Sequence, residues 1–261
     1  MLEKATTIQA LRDGFTWDIP DRYNIGVDVC DRIADQTPDA PAIIDVAANM
    51  SHVTYSFADL RAMSNQFANL LSGMVDIRDR VAVLLPQSIE TAVAHIGALK
   101  AGCISIPLFT LFGPDALLHR LRDSGTKVVV TNAEGAAKLA SIRSDLPALV
   151  HVLCTHCARD VQADFHALCA DQPDIFTPVD TAADDPAFII YTSGTTGNPK
   201  GALHAHRVLL GHLPGVEMSH DFFPQTGDKI WTPADWAWIG GLLDVLMPAL
   251  HHGVPVVAHR F

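Results

Sequence analysis

The stretch Ala187-Phe188-Ile189-Ile190-Tyr191-Thr192-Ser193-Gly194-Thr195-Thr196-Gly197-Asn198-Pro199-Lys200-Gly201 runs from a short apolar segment into one dense in glycine and hydroxyl side chains. Residues 191–201 hold three glycines, four aliphatic hydroxyls and one lysine. That is the composition of a phosphate cradle. Glycines admit backbone N–H groups close to a polyphosphate, hydroxyls donate to its oxygens, and a lysine opposes its charge. The G-x-x-x-x-G-K-[ST] spacing of a Walker loop is absent, so the cradle is of another kind. The plain alternative is a Gly/Ser/Thr turn with a lysine near it.

Upstream of this segment, strands alternate with helices. Ser56 followed by Asp59 three residues later marks a helix start, and Leu60, Met63, Phe67, Leu70 and Leu71 share one face of a helix over 57–72. Residues 80–86 read as a buried strand, and Ser88 then caps a helix ending near Gly102. Residues 104–108, 127–131 and 149–153 read as further strands, with a helix opening at Pro114 and another over 136–142 between them. Strands joined by helical crossovers predict an α/β fold with a largely parallel sheet and helices on its faces. Residues 160–185 turn acidic and irregular and read as a surface connection. After the glycine-rich segment, the pattern predicts a helix over 205–211, a short strand over 229–232, a helix over 239–250 and a strand over 254–257. The resulting division is an entry segment over 1–50, a first α/β unit over 51–180, and the start of a second over 181–261.

At 261 residues, 49% hydrophobic and 18% charged, the chain has the balance of a globular domain. A formal net charge of −11 disfavours nucleic acid as a partner, so an anionic ligand must be held by a local site. Residues 1–20 lack the apolar core of a signal peptide, and no apolar run reaches the roughly 18 residues of a membrane span, which predicts a cytoplasmic protein. Five cysteines, Cys30, Cys103, Cys154, Cys157 and Cys169, suggest reduced thiols rather than a disulfide framework. Cys154 and Cys157 have C-x-x-C spacing, with His151, His156 and His166 nearby. No second such pair completes a zinc site, and no metal site is expected.

The segment Tyr191 to Gly201 resembles the signature loop of the adenylate-forming enzymes, a superfamily of acyl-CoA synthetases, adenylation domains of peptide synthetases, and luciferases. Other segments are similar to landmarks of the acyl-CoA synthetases: the Thr54-Tyr55 helix entry, Leu85-Pro86-Gln87, Lys100 to Leu108, and Trp231-Thr232-Pro233-Ala234-Asp235-Trp236-Ala237-Trp238-Ile239-Gly240-Gly241. Together they span roughly residues 20 to 260. The resemblance implies an ATP-dependent carboxylate–CoA ligase. A carboxylate attacks the α-phosphate of Mg2+-ATP to give an acyl-adenylate and pyrophosphate, and coenzyme A then displaces AMP. Thr192, Ser193, Gly194, Thr195, Thr196 and Gly197 would wrap the β and γ phosphates, with Lys200 adding charge. Family members continue for a few hundred residues more, into a C-terminal domain that carries the adenylation lysine. No catalytic residue is therefore assigned here, and this chain alone is expected to be inactive.

Two readings stay open for the tryptophan-rich segment: Trp238, Ile239 and Gly240 wall the acyl pocket, or Asp235 caps a buried helix whose tryptophans are core. His204 faces the nucleotide or is an ordinary half-buried histidine; His206, His251 and His252 likewise suit packing. The acyl substrate is a small carboxylic acid, with Gly240 leaving room for short, medium or branched chains. Two other functions stand beside the ligase. One is an adenylation domain loading a carrier protein, which shares the first half-reaction; the other is a noncatalytic, truncated nucleotide-binding relic. Oligomeric state is not legible.

Overall fold

Ser56 starts the first long helix as its spacing from Asp59 predicts. The Ser56 hydroxyl accepts from Asp59 N at 3.1 Å, and an Asp59 carboxylate oxygen accepts from Ser56 N at 2.8 Å. This reciprocal cap satisfies two otherwise orphaned donors. The computed structural model describes residues 2–157, 163–192 and 197–259.

The strands are β1 (Pro41–Val46), β2 (His52–Ser56), β3 (Arg80–Leu84), β4 (Ile104–Pro107), β5 (Val128–Asn132), β6 (His151–Thr155), β7 (Ala163–Asp164), β8 (Pro186–Thr192), β9 (Lys200–Ala205) and β10 (Val256–His259). The helices are α1 (Ile8–Gly14), α2 (Arg32–Gln36), α3 (Phe57–Ser72), α4 (Ile89–Lys100), α5 (Pro114–Ser124), α6 (Ala133–Ala140), α7 (Phe165–Ala170), α8 (Val208–Ser219), α9 (Ile239–Gly241) and α10 (Met247–His251). A π-helical turn over Val27–Asp31 leads into α2, and another over Leu242–Leu246 joins α9 to α10.

Seven strands form one sheet in the order β7-β6-β5-β3-β4-β8-β9, all parallel except β9. Its central strands are apolar on both faces, with Val81, Ala82, Val128, Val129 and Val130 fully buried, because helices cover both sides. The mixed α/β architecture and largely parallel sheet are those the sequence predicts. A second sheet, β10-β1-β2, pairs Ile43 with Val256 in parallel and with Tyr55 in antiparallel register.

Several segments differ from expectation. Lys200 to Ala205, expected to be loop and helix start, forms β9, because its backbone groups pair with the otherwise open edge of β8. The following helix starts at Val208 and runs on to Ser219. Residues 160–185 contain α7, capped by Asp164, whose side chain accepts from Ala167 N, and anchored by buried Phe165 against Phe67. Residues 229–232 supply only a bridge between Ile230 and Val256 rather than a strand. Sheet membership also crosses the segments read from sequence. β8 and β9, beyond residue 181, complete the larger sheet, while β1 from the entry segment pairs with β10. Cys154 and Cys157 are joined as a disulfide, contrary to the expectation of reduced thiols: the end of β6 turns back at His156 and brings the two Cα atoms to 5.7 Å. Cys30, Cys103 and Cys169 are free and buried. No helix among the described residues is long and apolar enough to cross a membrane.

Where α3, α4 and the Val27–Asp31 turn meet, Lys100 is wholly buried. Its ammonium donates to Asp31 at 2.6 Å and to Ser64 and Asn65 at 2.9 Å each. Three oxygen acceptors meet the three N–H donors of the ammonium, which is what makes a buried lysine tolerable.

Candidate nucleotide and acyl site

In a parallel sheet, ligands gather beyond the carboxyl ends of the strands, next to the point where strand order reverses. Here the chain leaves β3 for β4 on one side and crosses back to β5 and then β6 on the other, so that point lies between β3 and β5. The segments following β3, β4 and β8 all emerge at this edge, and β9 begins there.

β8 and β9 form an antiparallel hairpin in which Thr192 is the register partner of Lys200. Both are exposed. Gly197 has φ +86° with open space around its Cα, so it supplies a left-handed turn at the β9 side of the loop. Ser193, Gly194, Thr195 and Thr196 lie outside the described residues. Of the expected phosphate-binding residues, Thr192, Gly197 and Lys200 thus mark the foot of the loop. The foot is tied to α5 by two contacts: His119 Nε2 lies 2.8 Å from Pro199 O, and the Tyr191 hydroxyl donates to Asp123 at 2.6 Å.

Trp238 lies at the same edge. It packs against Phe109, which follows β4, with ring centroids 5.8 Å apart. Phe109 meets Phe112 edge-on at 5.9 Å, and the Arg120 guanidinium sits 4.0 Å from the Phe112 ring and 5.6 Å from that of Tyr191. A continuous row of aromatic and cation–π contacts therefore connects Trp238 to the hairpin foot. Arg120 is 8% exposed, and burial lowers its pKa. Its place in this row is not legible from sequence, since nothing in the pattern of α5 separates it from Arg122.

The two readings of the tryptophan segment divide residue by residue. Trp236 is fully buried and belongs to the core, whereas Trp238 is 55% exposed and Ile239 36%. Asp235 does not cap a helix. Its carboxylate accepts from Ala237 N at 2.9 Å, its carbonyl accepts from Trp238 N at 3.0 Å, and the cap position of α9 is Trp238. Burial raises the Asp235 pKa, offset in part by the Ala237 hydrogen bond. A side-chain carbon at Gly240 would meet only Asp244, at an ordinary 3.6 Å, so space remains there. Gly241 is the glycine the packing requires, because a Cβ there would collide with the Asp235 carbonyl.

Gln87 positions this segment. It is 5% exposed, and its amide donates to the carbonyls of Thr232 at 3.0 Å and Ala234 at 2.7 Å, while its oxygen accepts from His259 N at 3.3 Å. One side chain at the end of β3 thus ties together the tryptophan segment and β10.

The histidines stand apart from the loop. His204 is four residues along β9 from Lys200, roughly 13 Å at strand rise, and is half-buried opposite Phe188. His206 is fully buried and accepts from Ile25 N through Nδ1 at 3.2 Å; burial pushes its pKa down to about 4. His251 Nδ1 lies 2.6 Å from Asp28, and His252 Nε2 lies 3.1 Å from Glu217.

A largely parallel α/β sheet with helices on its faces is the architecture of the N-terminal domain of acyl-CoA synthetases. A family model described as "AMP-binding enzyme" matches residues 30–260, and the chain belongs to that family. Among similar proteins are an acetyl-coenzyme A synthetase of Halorhodospira halophila, 32% identical over 88% of this chain, and a long-chain-fatty-acid–CoA ligase of Mycobacterium tuberculosis, 30% identical over 79%. The crystal structure of a Brucella canis acyl-CoA synthetase superposes over 94% of this chain with a TM-score of 0.82 and 29% identity. The chain spans 38%, 40% and 44% of those three proteins, respectively, corresponding to their N-terminal part.

Proposed function

We propose that this chain is the N-terminal part of an ATP-dependent carboxylate–CoA ligase that forms an acyl-adenylate and then an acyl-CoA, releasing AMP and pyrophosphate in the cytoplasm. The observation that carries this reading is the hairpin foot. The pairing of Thr192 with Lys200 brings a hydroxyl and an exposed ammonium to the two ends of the glycine-rich loop, at the strand edge where α/β sheets bind ligands.

The residues present suit a triphosphate. Lys200 offers a mobile point charge, Thr192 a hydroxyl, and the turn at Gly197 leaves the approach open. With Ser193, Gly194, Thr195 and Thr196 they would hold the β and γ phosphates of Mg2+-ATP. The substrate acid's own oxygen is the nucleophile toward the α-phosphate, so the protein's task is positioning and charge neutralisation. AMP then serves as a far better leaving group than oxide when the thiol of coenzyme A attacks. Trp238 and Ile239 would wall the acid's side chain, and the space at Gly240 suits short, medium or branched acids.

Carboxylate-dependent exchange of labelled pyrophosphate into ATP, with a panel of acids, tests the proposal. It should be run on this chain and on a longer form carrying the length its relatives have. Exchange is expected from the longer form only. Absence of acid-dependent exchange from both, with every acid, refutes the ligase reading.

A further inference from the structure

Away from the hairpin, three side chains from separate elements converge: Glu90 in the first turn of α4, His156 in the turn after β6, and His166 in the first turn of α7. One Glu90 carboxylate oxygen lies 3.2 Å from His156 Nε2 and 3.5 Å from His166 Nε2, and the three donor atoms all fall within 4.8 Å of one another. Bonds of about 2.0–2.2 Å at a tetrahedral zinc place neighbouring ligand atoms about 3.3–3.5 Å apart, so the two Glu90–histidine spacings match neighbouring positions of a coordination sphere.

We propose that Glu90, His156 and His166 bind one divalent transition-metal cation of the zinc class. Three observations favour a cation over a simple ion-pair cluster. Glu90 is 5% exposed and turns one carboxylate oxygen to both imidazoles, with His156 Nε2 at hydrogen-bond distance, so a buried anionic ligand faces two nitrogen donors. His166 Nε2 is shielded from solvent and faces the cluster, with the Glu90 carboxylate oxygen 3.5 Å away. The two imidazoles lie close, tilted at 44° with centroids 5.1 Å apart, and protonating both to satisfy Glu90 sets like charges side by side. A single cation serves all three groups with both imidazoles neutral. Two imidazole nitrogens and one carboxylate suit zinc, cobalt or nickel rather than magnesium or calcium, whose ligands are oxygens.

The surroundings prepare the site. His156 sits at φ +59° in the turn spanned by the Cys154–Cys157 bridge. Glu90 and His156 also line a cleft of about 240 Å³ together with Ser88, Asn132 and Thr155, which leaves a fourth coordination position open to water or a small anion. The C-x-x-C spacing therefore marks the place without supplying the ligands.

The test uses the full chain stripped with a chelator, then titrated with Co2+ and Zn2+. Co2+ should bind one per chain with the visible absorption of a four-coordinate nitrogen–oxygen site, and Zn2+ should displace it and raise the melting temperature. His156→Ala and His166→Ala should each weaken binding by more than the roughly 10–100-fold that loss of a supporting second-layer partner costs, and should abolish the Zn2+-dependent rise in melting temperature. The His156 side chain is 63% exposed, so its replacement leaves the fold intact and keeps the comparison valid even if Glu90→Gln does not fold. Absence of stoichiometric Co2+ binding, or binding of equal affinity in both histidine variants, overturns the proposal.

Discussion

Tyr191 lies across Gly201, its register partner in the β8–β9 hairpin. A Cβ on residue 201 would stand 3.1 Å from the Tyr191 ring and 2.7 Å from Ile189 Cγ2. In an ordinary strand, Gly→Ala gains roughly 0.5–1 kcal/mol from reduced backbone entropy. Here it must displace a ring that is hydrogen-bonded to Asp123, and the overpacking costs about 1–3 kcal/mol. Gly201→Ala is therefore expected to destabilise, and to weaken ATP binding by shifting the loop's foot. Urea unfolding and calorimetric ATP titration check both; a more stable variant with unchanged ATP affinity contradicts this account.

Lys200 is exposed and pairs through its backbone with Thr192, so its side chain contributes little to the fold. Lys200→Ala should change stability by no more than about 0.5 kcal/mol. Pyrophosphate exchange in the longer form should fall far more than that. Equal losses in folding and exchange count against a phosphate role.

Gln87, itself buried, satisfies the carbonyls of two half-buried residues, Thr232 and Ala234. Gln87→Ala leaves them unpaired at about 1–3 kcal/mol. Gln87→Glu should be at least as damaging, because it sets a carboxylate oxygen against those carbonyls. Denaturant midpoints rank the variants, and Trp fluorescence should report loosening of the 231–241 segment.

Acid should destabilise the protein through its buried histidines. Burial pushes His95 down to about 3 and His206 to about 4, from an ordinary value near 6.5. Between those values the unfolded chain binds protons that the folded chain refuses, so stability rises with pH there and is lost as pH falls from about 6.5 toward 4. His206 alone accounts for roughly 3 kcal/mol across that window. Unfolding free energies measured from pH 7 to 4 should show this slope, and His206→Gln should make it shallower. An identical slope in the variant removes His206 from the explanation.

Elements with local signals were legible in the sequence. Ser56 with Asp59, Ser88, and Pro114 each state a helix start in the residues themselves, and α3, α4 and α5 begin where those residues stand. The family was equally legible, because the glycine-rich loop and its flanking landmarks are short linear strings. What failed depends on distant partners. Lys200-Gly201-Ala202-Leu203-His204-Ala205 has little strand character, and only the free edge of β8 makes it β9. β1 acquires its place from β10, more than two hundred residues away. Around the candidate site, Arg120 and Gln87 owe their roles to what folding brings against them: no pattern separates Arg120 from its neighbours, and the Leu85-Pro86-Gln87 landmark does not state what the Gln87 amide will hold. The cap of α7 by Asp164 was a visible cue, masked by the acidic composition around it.

The pairing of Ile43 with Val256 also governs how this protein comes into being on the ribosome. At about 5–20 residues per second, some ten to forty seconds separate emergence of the first strand from that of its parallel mate. Throughout that interval the β1–β2 pair carries an open, apolar edge. Nascent copies on neighbouring ribosomes are then each other's nearest hazard, and a chaperone that occupies this edge during synthesis should raise the yield of native protein.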